Sequence, residues 1–285
     1  SHCTFLRRAG AFAQALAELG LTPDDRVAVQ VDKSADALAL YAACVRGGFV
    51  FLPLNTAYTA PEVDYFVGDA QAAVLVCTPA REGELAPVAA AHGARILTLG
   101  RDGSGSLPDL AARCDGSFST AVRRDGDLAA ILYTSGTTGR SKGAMLSQGN
   151  LISNAEVLAD LWRFTESDVL LHALPIFHTH GLFVATNVTL VAGGAMILMP
   201  GFDADEVFRL LPQATTMMGV PTFYTRLVAD PRLTKAAVAH MRLFISGSAP
   251  LLAETHRAFH AATGQMILER YGMTELNMAT SNPHD

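Results

Sequence analysis

Between Tyr133 and Gly143 the chain carries five serine and threonine hydroxyls (Thr134, Ser135, Thr137, Thr138, Ser141), three glycines (Gly136, Gly139, Gly143) and two cations (Arg140, Lys142). They follow directly on the apolar run 128–132. Such a composition suits a polyphosphate. Glycines let the backbone turn and approach a ligand closely, exposed N–H groups and hydroxyls donate to phosphate oxygens, and a lysine brings a mobile positive charge. An ATP-handling enzyme is the first expectation.

Two familiar motifs are tested against this segment. A Walker A loop needs G-x-x-x-x-G-K-[ST]; counted from Gly136, Ser141 stands where the second glycine belongs and Gly143 where the hydroxyl belongs. Residues 139–143 do satisfy G-x-S-x-G, the nucleophile elbow of serine hydrolases. An elbow, however, sets one serine on a tight strand-to-helix turn, whereas here the glycines and hydroxyls begin earlier and no helix-like pattern starts at Ser141. The simplest alternative is an ordinary solvated Gly/Ser/Thr loop. A lysine framed by so many donors after an apolar strand weighs against it.

The elements that must position this loop belong to a chain of 285 residues, half of them apolar, which is enough to bury a large core and form two subdomains. With a net charge of −6 and 21 scattered Lys+Arg, there is no basic footprint for nucleic acid. The four cysteines (Cys3, Cys44, Cys77, Cys114) show no C-x-x-C spacing and suit free thiols in a reducing compartment. Residues 181–202 carry no formal charge over roughly the 20 residues a bilayer needs. Asn187, Gly193, Gly194 and Pro200 interrupt them, which predicts a buried helix ending at the glycine pair and a short strand at 195–199 rather than a membrane span. The chain opens on Ser1-His2-Cys3 and enters an amphipathic helical pattern at once, with no secretory signal, so a cytoplasmic location is expected.

Strand-like runs alternate with helix-like runs: strands at 26–31, 49–54 and 73–77, helices at 34–46 and 61–69. After exposed loops between 100 and 127, strands are predicted at 128–132, 169–173, 195–199, 215–218, 242–246 and 266–269. This is an α/β pattern with subdomains expected at 1–125 and 126–285.

Three later segments place unusual polar residues at the ends of apolar strands, where open α/β sheets bind ligands. In the first, His178 and His180 flank Thr179; a His-x-His pair can ligate metal, but no acidic or cysteine partner is suitably spaced, and packing or helix capping is the plainer role. The second, 246–251, runs from a strand into a Gly/Ser turn, where Gly247, Ser248 and Ala249 would let a flat base lie against the backbone. The third, 269–275, supplies donors, a stacking face and hard oxygen ligands for Mg²⁺ through Glu269, Arg270, Tyr271, Thr274 and Glu275.

Together, these segments resemble the adenylate-forming enzymes, the family of acyl-CoA synthetases, luciferases and nonribosomal adenylation domains. Residues 133–143 follow that family's YTSGTTGxxKG pattern, with Ser141 in place of the more frequent proline, and residues 271–275 follow YGxTE. The resemblance implies the two α/β subdomains of that family's large N-terminal domain, and ATP, Mg²⁺ and coenzyme A as reactants. By it, Thr134, Ser135, Gly136, Thr137, Thr138, Gly139 and Lys142 would handle the β- and γ-phosphates. Gly247, Ser248, Ala249 and Tyr271 would flank adenine, Glu269 would bind ATP, Thr274 would meet the α-phosphate, and Glu275 would hold Mg²⁺. Thr274, Glu275 and Lys142 would be the catalytic set, and His178 matches the ring that gates the acyl pocket. Within the family, Arg270 before the YGxTE tyrosine, with 178–183, 218–224 and 246–251, looks like the malonyl-CoA synthetases.

Charge physics points the same way. A dicarboxylate activated at one end leaves an anion in a small pocket, costly to desolvate unless an arginine fork meets it. Acetate would leave that cation unpaired. Thr179 and Met278 are expected as pocket walls, and Leu276, where a threonine is common, as a mild departure. A surface ion pair with Glu269 is the ordinary alternative for Arg270. The chain stops at Asp285, before the positions of the family's small C-terminal domain, so weak or no turnover by this polypeptide alone is expected. The rival functions are a synthetase for another short or aromatic acid, or a non-catalytic nucleotide-binding module.

Overall fold

The computed structural model describes residues 1–134 and 140–284 and resolves into two compact α/β units, Ser1–Gly149 and Asn150–Asp285. In the first, β1 (Arg26–Gln30), β2 (Val50–Pro53), β3 (Val74–Cys77), β4 (Arg95–Thr98), β5 (Leu128–Thr134) and β6 (Lys142–Ser147) form a sheet of order β4-β3-β1-β2-β5-β6. All neighbours are parallel except β5 and β6. Both faces of the inner strands are covered, so they read as unbroken apolar runs rather than alternating ones. Ala28, Leu52 and Leu75 pack on Val63, Phe66 and Val67 of the helix Ala60–Asp69, which starts with a Thr59–Glu62 capping box.

Sequence reading placed residues 128–134 at the start of the second subdomain. They lie instead with the first unit, because β5 pairs in parallel with β2 and β6 closes the edge beside it. Of the loops expected between 100 and 127, those at 102–104 and 115–117 are Asx turns, in which Asp102 accepts from Ser104 and Asp115 from Ser117, but a short helix, Ser106–Ala111, with Leu107 and Ala111 buried, stands between them.

In the second unit, β7 (Val169–His172), β8 (Ala195–Leu198), β9 (Thr216–Gly219), β10 (Leu243–Ser246), β11 (Ile267–Met273) and β12 (Asn277–Ser281) form a sheet of order β12-β11-β10-β9-β7-β8. Only the β11–β12 pair is antiparallel. Alternate side chains feed two cores. Leu171, Met217 and Phe244 pack with Tyr224 and Phe259 on one face, and Leu170, Met218 and Ile245 with Trp162 and Val184 on the other.

The apolar stretch after residue 180 is a π-helical segment, His180–Thr186, continued by the helix Asn187–Val191 and by β8. Among the described residues no helix is long and apolar enough to cross a membrane. π-Helical turns often mark functional sites. Here a Cβ on Gly181 would lie 2.0 Å from the Pro175 carbonyl oxygen, and the Gly181 carbonyl itself accepts from Thr186 Oγ1 at 2.9 Å. Only glycine permits so close a backbone approach.

The base of the second sheet is fixed by a buried ion pair. Asp168, 2% exposed, accepts from Arg242 Nε and Nη2 at 2.7 Å each, from Thr215 Oγ1 at 2.7 Å and from the Thr165 amide at 2.9 Å. Burial pushes its carboxyl up, but Arg242, Thr165 and Thr215 outweigh that and hold it below the ordinary carboxylate value. The pair therefore stabilises the fold above the unfolded-state pKa, near 4, and its contribution is lost as the pH falls through the depressed folded value. Asp168→Ala should lower unfolding stability at pH 7 by about 2–4 kcal/mol, since Arg242 loses its partner while remaining partly hydrated. Chemical denaturation at pH 7 and at acid pH should show the deficit narrowing in acid.

Candidate active site

The hydroxyl-rich loop joins β5 to β6, two antiparallel strands paired Tyr133 to Gly143 and Thr134 to Lys142. Among the described residues neither strand hands into a helix there, whereas a Walker loop and a nucleophile elbow each lead from a strand into a helix. Both of its ends are tied to the helix Ala60–Asp69. Tyr133 donates to Asp69 Oδ2 at 2.5 Å and Tyr65 donates to the Ser141 carbonyl at 2.8 Å, while the Phe66 and Tyr133 rings lie 4.5 Å apart. Burial, then the Asp69 bond, raise the Tyr133 phenol well above its ordinary value, so it stays a donor. Lys142 opens β6 and is exposed. The predicted phosphate contacts Ser135, Gly136, Thr137, Thr138 and Gly139 lie outside the described residues.

In the second unit the carboxyl-terminal ends of β7, β9, β10 and β11 converge on two adjoining cavities. One, of about 410 Å³, is lined by Leu174, His178, Thr179, His180, Arg270 and Met278 among others. The other, of about 480 Å³, is lined by Ser248, Ala249, Pro250, Glu269 and Tyr271 among others. Ser248, Arg270 and Gly272 line both. Ala249, Glu269 and Tyr271, predicted for ATP, thus line the larger cavity, and His178, Thr179 and Met278, predicted for the acid, the smaller.

Arg270 is 7% exposed, and its Nε and Nη2 have no hydrogen-bond partner among the described residues. The surface pair with Glu269 is therefore not formed. Burial pushes the guanidinium down to about 10, which leaves it charged at neutral pH. Its position depends on Gly247: a Cβ there would lie 2.3 Å from the guanidinium carbon. The missing side chain of Gly247 thus makes room for Arg270, a role the sequence reading, which assigned the space to adenine, did not foresee.

The remaining polar groups of the smaller cavity are also underused. Thr179 Oγ1 and His180 Nε2 are buried without partners among the described residues, while His180 Nδ1 lies 3.2 Å from Ser248 Oγ. Burial above all, then Arg270, His172 and His178, hold the His180 pKa well below its ordinary value; burial alone lowers that of His178. Sequence reasoning made His178 a site residue and gave His180, as the second ring of the His-x-His pair, only packing or helix capping. The available signal was the second ring of the His-x-His pair.

Past Arg270, β11 and β12 close as a hairpin with a register shift between Tyr271 and Gly272 and a turn at 274–276. A Cβ on Gly272 would meet the Asn277 carbonyl oxygen at 1.9 Å, so this bend also requires glycine. It leaves Tyr271 60% exposed beside the larger cavity, Thr274 half-buried and Glu275 exposed on the turn. Met278 is buried as a wall, its backbone held by both ends of the Asn154 amide, a support that sequence reading missed. Among the described residues no group of three His, Cys, Asp or Glu converges as a metal site.

Comparison with known proteins extends this geometry. The model of the AMP-binding enzyme family matches residues 1–285. Apo and ATP-bound MatB from Rhodopseudomonas palustris are each 60% identical with a TM-score of 0.98, covering 100% of this chain and 57% of theirs. A malonyl-CoA ligase in a ternary product complex with methylmalonyl-CoA and AMP is 34% identical with a TM-score of 0.82, covering 97% of this chain and 56% of that one. Among curated relatives, the mouse mitochondrial malonate–CoA ligase ACSF3 is 34% identical over 86% of this chain and 44% of its own. Feruloyl-CoA synthase from an Amycolatopsis species is likewise 34% identical, over 94% of this chain and 53% of its own. The chain thus spans about half the length of these relatives. With two α/β units, a hydroxyl-rich hairpin loop and strand-end cavities on this pattern, it belongs to the AMP-binding enzyme family of adenylate-forming proteins.

Proposed function

We propose that this chain forms the nucleotide- and acid-binding portion of an ATP-dependent malonate–CoA ligase. One malonate carboxylate attacks the α-phosphorus of ATP, giving malonyl-AMP and pyrophosphate. The coenzyme A thiol then attacks the acyl carbon, AMP leaves, and the thiol proton is released. The observation that carries this reading is Arg270: a buried, charged guanidinium, without a hydrogen-bond partner at Nε or Nη2, in a cavity of about 410 Å³. Leaving such a cation unmatched is expensive, and a carboxylate with two oxygens meets it in bidentate fashion. His178, Thr179 and Met278 bound the space available to the carbon between the carboxyl groups.

The other roles follow from placement. The exposed Tyr271 ring offers a stacking face to adenine beside Ser248, Ala249 and Glu269. Thr274 supplies a donor at the hairpin turn where the α-phosphate would lie, and Lys142 with the hydroxyls of 134–138 would hold the outer phosphates. Glu275 is a single exposed carboxylate, which fits a magnesium ion that keeps its waters and takes oxygens from substrate phosphates. Bound there, the ion would neutralise charge developing on those phosphates. No protein nucleophile is required: positioning and charge neutralisation carry the chemistry.

Relatedness to a feruloyl-CoA synthase at 34% identity favours a second reading, in which the acid is aromatic. Arg270 opposes it, because a neutral ring would bury beside an unpaired cation. Pyrophosphate release by this chain joined to the C-terminal portion of Rhodopseudomonas palustris MatB separates the two. Malonate should be preferred over acetate, benzoate and ferulate, and Arg270→Ala should lower kcat/KM for malonate by about a hundredfold or more. Undiminished malonate use by that variant, or a preference for ferulate, would contradict the proposal. Gly247→Ala, whose added methyl must displace the guanidinium, should act as a milder form of Arg270→Ala, weakening malonate use about tenfold with little effect on thermal stability.

A further inference from the structure

The helix Ala60–Asp69 does more than cover the first sheet. It starts in a capping box and packs Val63, Phe66 and Val67 into the core with Ala28, Leu52 and Leu75, which makes it a firm support. Two of its side chains reach the two described ends of the hydroxyl-rich loop. Asp69 Oδ2 accepts from the Tyr133 hydroxyl at 2.5 Å near the end of β5, and the Tyr65 hydroxyl donates to the Ser141 carbonyl at 2.8 Å, one residue before β6. Between these anchors Thr134 and Lys142 stand opposite one another, with the Thr134 hydroxyl 3.5 Å from the Lys142 carbonyl. The Tyr65 ring also carries the Arg140 guanidinium, 5.2 Å from its centroid.

Helix stability does not explain Asp69. It is the last residue of its helix, where the helix dipole disfavours a carboxylate, and no basic residue in that last turn offsets it. Nor does packing explain the two hydroxyls. The rings of Tyr65, Phe66 and Tyr133 lie 4.5 to 6.0 Å apart, contacts that phenylalanine would make equally well. What the carboxylate and the hydroxyls add is a fixed position for both ends of the loop. The sequence between the anchors contains Gly136 and Gly139, and glycine loses more conformational freedom on ordering than any other residue. Fixing where such a segment starts and stops removes part of that loss before a ligand arrives.

We propose that Asp69 and Tyr65 are positioning residues for the phosphate loop: through Tyr133 and the Ser141 backbone they set where Thr134 and Lys142 stand, and so how tightly the chain holds the outer phosphates of ATP. The inference rests on the reading of this loop as the ATP phosphate grip. Neither residue has to touch the nucleotide. Their loss is therefore felt by a ligand that carries β- and γ-phosphates and not by one that ends at the α-phosphate.

The test is calorimetric titration of the 285-residue chain with Mg·ATP and, separately, with AMP, which lacks the outer two phosphates. Tyr133→Phe and Tyr65→Phe each remove one oxygen and leave the rings packed, so the fold is kept. Each should weaken ATP binding by about threefold to tenfold, the range of one hydrogen bond, with AMP affinity unchanged. Asp69→Ala should act as Tyr133→Phe does, and Asp69→Asn, whose amide oxygen still accepts from the phenol, should recover most of the loss. Lys142→Ala removes the loop's own cation and serves as the reference: it should weaken ATP and spare AMP. Loss of ATP affinity in Lys142→Ala with none in Tyr133→Phe, Tyr65→Phe or their combination would overturn the inference and leave the phosphate grip standing. So would tyrosine variants that lose ATP and AMP affinity equally, which is the mark of a purely structural role. A parent chain that binds no ATP, or one whose ATP affinity is indifferent to Lys142→Ala, would overturn both.

Discussion

A guanidinium buried without a full set of partners is the constraint around which the second unit is arranged. Burial already lowers the affinity of Arg270 for its proton, although it remains charged. Proteins seldom leave such a group unmatched, because an unpaired charge away from water costs several kcal/mol. Here the cost is tolerated at the meeting point of two cavities, where a ligand can offset it. The nearby structure keeps Arg270 there. Gly247 vacates the space the guanidinium occupies, and Gly272 lets β11 bend into its hairpin just beyond.

The same economy runs through the rest of the site. Parallel strands deliver their carboxyl ends to one edge, so His172, Gly219 and Ser246 close their strands there, and Glu269 is the last residue of β11 to pair with β10. A π-helical turn brings Gly181 close to the Pro175 backbone, and the Asp168–Arg242 pair steadies the opposite end of the sheet. In the first unit, the anchors from Tyr133 and Tyr65 hold the two described ends of the hydroxyl-rich loop against one helix.

Much of this was legible in the sequence for local reasons. In the runs at 26–31, 128–132 and 242–246, residues 27–31, 129, 130, 132 and 243–246 are buried, consecutive positions included, which is the pattern most easily read as strand. The β4, β6 and β12 strands were missed: β6 is a largely exposed edge strand, and β12 is a short polar segment whose partner lies across a hairpin. Arg270 could be suspected because it precedes a recognisable motif on the same strand. The His180–Ser248 contact could not, since those residues are 68 positions apart and meet only when β7 and β10 are laid into one sheet. For the same reason the glycine at 247 looked like room for a base, when the room is taken by an arginine from the neighbouring strand.

On the proposed reading, the second carboxylate of the acid is recognised as a charge. Comparing malonate with malonamate measures this most directly, because the two have nearly the same size and shape and differ by one negative charge. In calorimetric titrations of the ATP-loaded protein at pH 7, malonate should bind tighter by about a hundredfold, close to the worth of one buried charged hydrogen-bonded contact. Equal affinities for the two ligands would contradict it and leave Arg270 as a structural cation with no part in choosing the substrate.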